Sequence, residues 1–208
     1  MQRNTTIALF SAIVFSVGIL GVYGFTSIIP STLKAQSEPQ AIGAVPMLGH
    51  VTLTVTDPKG NILAYHQGDN VVVNQAEDCL SYKVFGIKSN QCTTGGAVYN
   101  VIVLGNHTGA VAGKTNSTMG TEETAPQGLG RQTAGTQTET DATTGAPVSD
   151  VLQAQFTNGG TANTVTEAGL FNSTVVNSAG MFAHQAFTGI ALNNGDSLTV
   201  KWTVTMGT

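Results

Sequence analysis

The sequence predicts an all-β protein: an antiparallel β-sandwich of jelly-roll or Ig-like type with one short helix, preceded by an N-terminal transmembrane or signal helix. Three observations predict it. In Ser197–Met206, Leu198, Val200, Trp202, Val204 and Met206 alternate with Ser197, Thr199, Lys201, Thr203 and Thr205. Successive side chains of a strand point to opposite faces, so this segment reads as a strand with one buried and one wet face. Polarity comes from Thr, Ser, Asn and Gln, because only 10% of residues are charged against about 25% in an ordinary soluble domain. Thr favours strands and the 25 glycines favour turns. Finally, about six to eight short apolar segments are separated by turn residues, the spacing expected of a sandwich.

The N-terminal element comes first. Arg3 precedes an uncharged run over 7–30, IALFSAIVFSVGILGVYGFTSIIP. A helix of roughly 23 residues spans the ~30 Å hydrocarbon core of a bilayer, whereas a cleaved signal has an apolar centre of about 7–15 residues. Cleavage after Ala35 would place Leu33 where a small residue is expected. Residues 1–35 are therefore read as a single-pass anchor, with secretion after cleavage as the alternative. Arg3 keeps the amino terminus inside and sends the C-terminal part outside the cell. Residues 36–48, with Pro39 and Pro46, read as a linker, and 49–208 as the extracellular sandwich.

Within the sandwich, Val51, Leu53 and Val55 alternate with threonines. Asp57-Pro-Lys-Gly60 then turns the chain into a return strand, so 50–67 make a hairpin. A turn at Gly68-Asp69-Asn70 leads to Val71–Val73. Asn74 and Glu77 have the spacing of a capping box, Ala76, Leu80 and Val84 recur at helical spacing, and Gly86 suits a C-cap. Residues 97–104 form a strand. Residues 106–148 contain almost no large apolar residue and read as a long exposed excursion, with Ala125–Leu129 touching the core. Further strands are expected at 151–157, 164–171 and 181–192. Asn193-Asn-Gly-Asp196 then turns the chain into the terminal strand.

Cys79 and Cys92, the two cysteines of an exported chain, are expected to form one disulfide, since two thiolates are too few for zinc and their spacing is not Cys-x-x-Cys. Asn106, Asn116 and Asn172 open Asn-x-Ser/Thr sequons and are candidate glycosylation sites.

Composition narrows the function. A net charge of −4 with eight Lys plus Arg leaves no basic stripe for nucleic acid. His50 and His66 come near each other at the open end of the first hairpin, but two imidazoles make a weak metal signal. Glu167, ahead of an apolar run, is read as a carboxylate capping a bend or accepting backbone N–H groups. No nucleophile elbow or phosphate loop is present. No catalytic residue, metal site or cofactor is expected.

The segments Thr166-Glu-Ala-Gly-Leu-Phe-Asn172, Gly180-Met-Phe-Ala183, Phe187-Thr-Gly-Ile190 and Asp196-Ser-Leu-Thr-Val-Lys-Trp-Thr-Val204 resemble the C-terminal β-rich module of tail and fibre-type proteins of tailed viruses and prophages. The resemblance extends to Tyr99–Gly105 and Thr124–Leu129. It implies that Gly169, Leu170, Phe171, Phe182, Phe187 and Trp202 are fold determinants, with Gly169 permitting a close backbone approach. A virion protein does not ordinarily begin with a membrane-spanning segment. The expected setting is therefore a microbial envelope, and the expected role is non-enzymatic surface structure, adhesion or recognition. Expected partners are the membrane, a cell-surface protein or glycan, and a second copy of the chain. The alternatives are a subunit of an extracellular filament or virus-derived assembly and, further off, a carbohydrate-active or carbohydrate-binding module.

Overall fold

A computed structural model describes residues 46–86 and 98–207. Among these residues the strands are β1 (Met47–Thr56), β2 (Ile62–Asp69), β3 (Val71–Val72), β4 (Val101–Gly105), β5 (Gln132–Thr133), β6 (Thr136–Thr140), β7 (Val148–Thr157), β8 (Asn163–Phe171), β9 (Met181–Leu192) and β10 (Ser197–Met206). A helix, α1 (Asn74–Phe85), follows β3, and a 3-10 turn covers Ala125–Gln127. The apolar run 7–30, most of the linker and Cys92 lie outside the described residues. Among the described residues no helix is long and apolar enough to cross a membrane.

The strands form two antiparallel five-stranded sheets, ordered β2-β1-β10-β7-β6 and β3-β9-β8-β4-β5. The terminal strand β10 is the middle strand of the first sheet, pairing along its whole length with both β1 and β7, so that Val51, Trp202 and Leu152 lie side by side. Its alternation explains this place: Leu198, Val200, Trp202 and Val204 are buried, and the intervening residues are partly or fully exposed. Val51, Leu53 and Val55 of β1 and Leu152, Ala154 and Phe156 of β7 complete the inner face. Each large side chain fully buried there contributes about 1.5–3 kcal/mol. Leu170 and Phe182 of the second sheet share a cleft with Leu152 and Val204, which identifies the inward face of the second sheet.

Some expectations are corrected. Met47 and Leu48, assigned to the linker, open β1 and pair with Met206 and Thr205. Gly68 and Asp69 extend β2 instead of forming a turn, because Gly68 and Asp69 still find partners in Val51 and His50. The N-cap of α1 is Val73, with no side-chain cap; Asn74 is the first helical residue. Glu77 reaches Lys114 Nζ at 2.6 Å instead of folding back on the cap. Gly86 does close the helix in the left-handed region, its N–H donating to Tyr82 O. The buried stripe of α1 is Gln75, Ala76 and Cys79, while Val84 is exposed.

The largest correction concerns residues 106–148. They are not one exposed excursion: 106–123 form a layer over the outward face of the second sheet, Gln127 and Gly128 lie against the turn after β7, and 132–133 and 136–140 are the strands β5 and β6. The sequence hid this because few large apolar residues anchor the layer. Met119 is buried in that layer against Gly169, Leu129 at the end of the Ala125–Leu129 stretch belongs to the core as expected, and polar groups make most of the remaining attachments.

Candidate functional site

The buried polar groups nearest to a chemical constellation lie under that layer. On β8, Glu167, Gly169 and Phe171 alternate with inward-facing Ala168 and Leu170, so their side chains project outward from the second sheet. Gly169 pairs with His184 of β9, and Glu167 with Gly105 of β4. The two ionisable side chains therefore meet diagonally across neighbouring strands, with Glu167 Oε2 2.9 Å from His184 Nε2. The other oxygen, Oε1, accepts from the N–H groups of Gly120 at 3.1 Å and Thr121 at 3.4 Å. On the far side of the ring, His184 Nδ1 is 3.4 Å from Asn116 Oδ1, which also accepts from Gly113 N–H at 2.5 Å. Gly105 leaves room for this carboxylate: a Cβ there would stand 2.5 Å from Glu167 Oε1.

Burial alone raises the Glu167 pKa. The His184 hydrogen bond, the Thr121 and Gly120 amides and the attraction of His184 outweigh that effect and hold the carboxyl below its ordinary value of 4.5. Chemically this is a clamp. Both carboxylate oxygens are engaged by donors of the chain itself, as expected for a carboxylate that binds backbone N–H groups, although those groups lie 46 and 47 residues away.

A second clamp was not anticipated. The Arg131 guanidinium grips Glu122 through two bonds, Nε to Oε2 at 3.0 Å and Nη2 to Oε1 at 2.5 Å, with side-chain exposures of 1% and 2%. Arg131 also donates to Ser173 O and to Ser178 O and Oγ, and lies 4.4 Å above the Phe171 ring. It thereby fixes the 172–180 connection. The available signal was that Arg131 is the only arginine besides Arg3, and a guanidinium in so uncharged a chain suits bidentate pairing with a carboxylate.

Two exposed surfaces remain. The pairing of Met47 with Met206 puts the point where the chain enters the domain and its C-terminal strand at one end. The turns after β1, β7 and β9 gather at the other. Asn158, fully buried, ties the last two together: its Nδ2 donates to Thr161 O, Leu192 O and Asn193 O, and its backbone bonds to Gly195 and Asp196. Asp57 closes the first turn by accepting from the N–H groups of Lys59 and Asn61, each at 2.8 Å. The second surface is the outward face of the first sheet. Its cross-strand rows read Gln67, Thr52, Lys201, Gln153, Thr136 and Tyr65, Thr54, Thr199, Gln155. It offers hydroxyl and amide groups with little charge.

The remaining residues singled out in the sequence are placed as follows. Leu170, Phe171, Phe182 and Trp202 are core residues; Phe187 is only partly buried, its ring 5.4 Å from that of His66. Gly169 makes room for side chains rather than backbone: a Cβ would meet Phe171 Cε2 at 2.6 Å and Met119 Sδ at 2.9 Å. His50 pairs with Asp69 on the outward face, while His66, opposite Leu53, points inward, so the two cannot share a metal ion. Cys79 is disulfide-bonded. Asn106 and Asn116 are partly exposed; Asn172 is 7% exposed, with its Oδ1 buried. At the end where the chain enters, Leu80, Leu170, Phe182, Val204 and Tyr99 line a cleft of about 170 Å³. Burial pushes the Tyr99 hydroxyl up to about 12.

No protein-family model matches the chain, and neither curated proteins nor solved structures match it.

Proposed function

We propose that the chain is a non-enzymatic β-sandwich of jelly-roll or Ig-like packing, held on a microbial envelope by its N-terminal helix. It is displayed outside the cell for surface structure, adhesion or recognition. The observation that carries this reading is the polarity of the domain: the chain enters at one end, the turns after β1, β7 and β9 lie at the other, and the Thr-rich sheet face runs between them. Loops held on a rigid scaffold are the usual carriers of binding. The buried ionisable groups also support it, because Glu167, His184, Glu122 and Arg131 are engaged in holding loops. A cell-surface protein or a glycan is the partner this neutral, hydroxyl-rich surface suits. The resemblance to virus tail and fibre modules agrees with a display role.

Fractionation tests the anchor: the intact protein belongs in the membrane, and a soluble product starting near Gln36 would replace the anchor with a cleaved signal. The second reading, a subunit of an extracellular filament or tail-like assembly, is favoured by the edge of β2, which has no strand beside it among the described residues and where Ile62, Leu63 and Tyr65 are exposed. Electron microscopy of the purified protein separates the two, since the second requires ordered assemblies.

A further inference from the structure

Among the described residues, one side of the sandwich carries two free strand edges. β2 is the last strand of the first sheet. On the same side, β3 pairs only with Ala183 and His184 of β9, so the edge of Gln185–Leu192 turned away from β8 has no strand beside it among the described residues. The two edges are level. The His66 and Phe187 rings are 5.4 Å apart, and a Cβ on Gly68 would stand 3.0 Å from Gln185 Nε2. Both facing pairs share one offset, so the middle of β2, at Tyr65 and His66, lies within a residue of the middle of the free part of β9.

Soluble proteins commonly block such edges with lysine, proline, inward-pointing charge or very short strands. Neither Ile62–Asp69 nor Gln185–Leu192 contains Lys, Arg, Glu or Pro. Ile62 is 68%, Leu63 54% and Tyr65 59% exposed. Asp69 is the only charged residue in either stretch, and His50 Nδ1 sits 3.0 Å from its carboxylate.

We propose that this side is a homotypic interface, in which a second copy of the chain lays its β2 against β2 about a two-fold axis normal to the sheets. Such an axis at Tyr65, which keeps outward residues opposite outward residues, pairs Tyr65 with the second copy's Tyr65, Leu63 with its Gln67 and Asn61 with its Asp69. No like charges meet. The same rotation brings the two β9 edges toward each other, so one operator serves both sheets and closes on itself. Because β2 then runs antiparallel to its mate, the ends where the two chains enter point in opposite directions. If the anchor reading holds, the pair joins facing envelopes; the interface itself does not depend on that reading.

The experiment is sedimentation of the full-length protein in detergent, beside Tyr65→Lys, Gln67→Lys and, on the opposite edge of the first sheet, Thr138→Lys. Trp202 emission serves as the check of folding. The expected result is a dimer whose dissociation constant rises at least about tenfold in either folded β2 variant and is unchanged in Thr138→Lys. A monomeric wild-type protein at every concentration, or a dimer that persists in the β2 variants, overturns the proposal. Clustering of vesicles carrying the protein, abolished by the same variants, separates opposed from side-by-side pairing. Dimerisation in detergent without clustering leaves the interface standing and removes its role between envelopes.

Discussion

Glu167 and His184 lie on neighbouring strands, 17 residues apart in sequence, and their side chains meet at 2.9 Å with exposures of 1% and 3%. This contact, with the two amides it shares, fastens the 106–123 segment to the second sheet. Removing one member of a buried pair strands the other, at a cost of about 3–5 kcal/mol. Glu167→Ala is expected to lose stability on that scale in urea titration, with protease sensitivity appearing first in 106–123.

The same carboxylate sets a pH dependence. Its folded pKa lies below the ordinary 4.5, so its contribution is fully present above that value and fades as pH falls through the lower folded value. The urea midpoints of the wild type and Glu167→Gln should therefore differ at neutral pH and converge in acid. A gap that stays constant down to acid pH contradicts the clamp.

Arg131 makes five hydrogen bonds and stacks on Phe171. Arg131→Ala should destabilise by about 3–5 kcal/mol, leaving Glu122 buried and uncompensated. Arg131→Lys should recover little, since an ammonium cannot reproduce the fork. Hydrogen exchange should place the loosening in residues 173–178.

Trp202 is the only tryptophan and is fully buried. Its emission should be blue-shifted in the native protein and move red in one step with unfolding. Trp202→Ala should cost about 3–5 kcal/mol.

Asn172 is buried beside Gly180, where a Cβ would meet its Oδ1 at 2.1 Å. Peptide mapping of the folded, full-length protein should find Asn172 unmodified, whichever state Asn106 and Asn116 show.

The parts of the fold legible in the sequence were those governed by local pattern. β9 and β10 match their expected bounds because alternation and flanking turns define a strand locally. The pairing of β1 with β10 was not legible, since periodicity says which face is buried but not which strand lies beside it. Residues 106–123 were misread for a related reason: their attachment runs through Glu167, His184, Arg131 and Glu122, and hydropathy carries no signal for a buried ion pair. Glu167 was legible as an acceptor of backbone N–H groups. Its partner His184 was not, because only the strand register brings them together.

The central claim is display outside the cell on a membrane anchor. Labelling unbroken cells with a membrane-impermeant amine reagent, followed by fractionation and mapping of Lys201 and Lys59, both exposed, tests it most directly. The account predicts a labelled, full-length protein in the membrane fraction. A protein that is labelled only after lysis, or that is recovered in the cytosol, would contradict it.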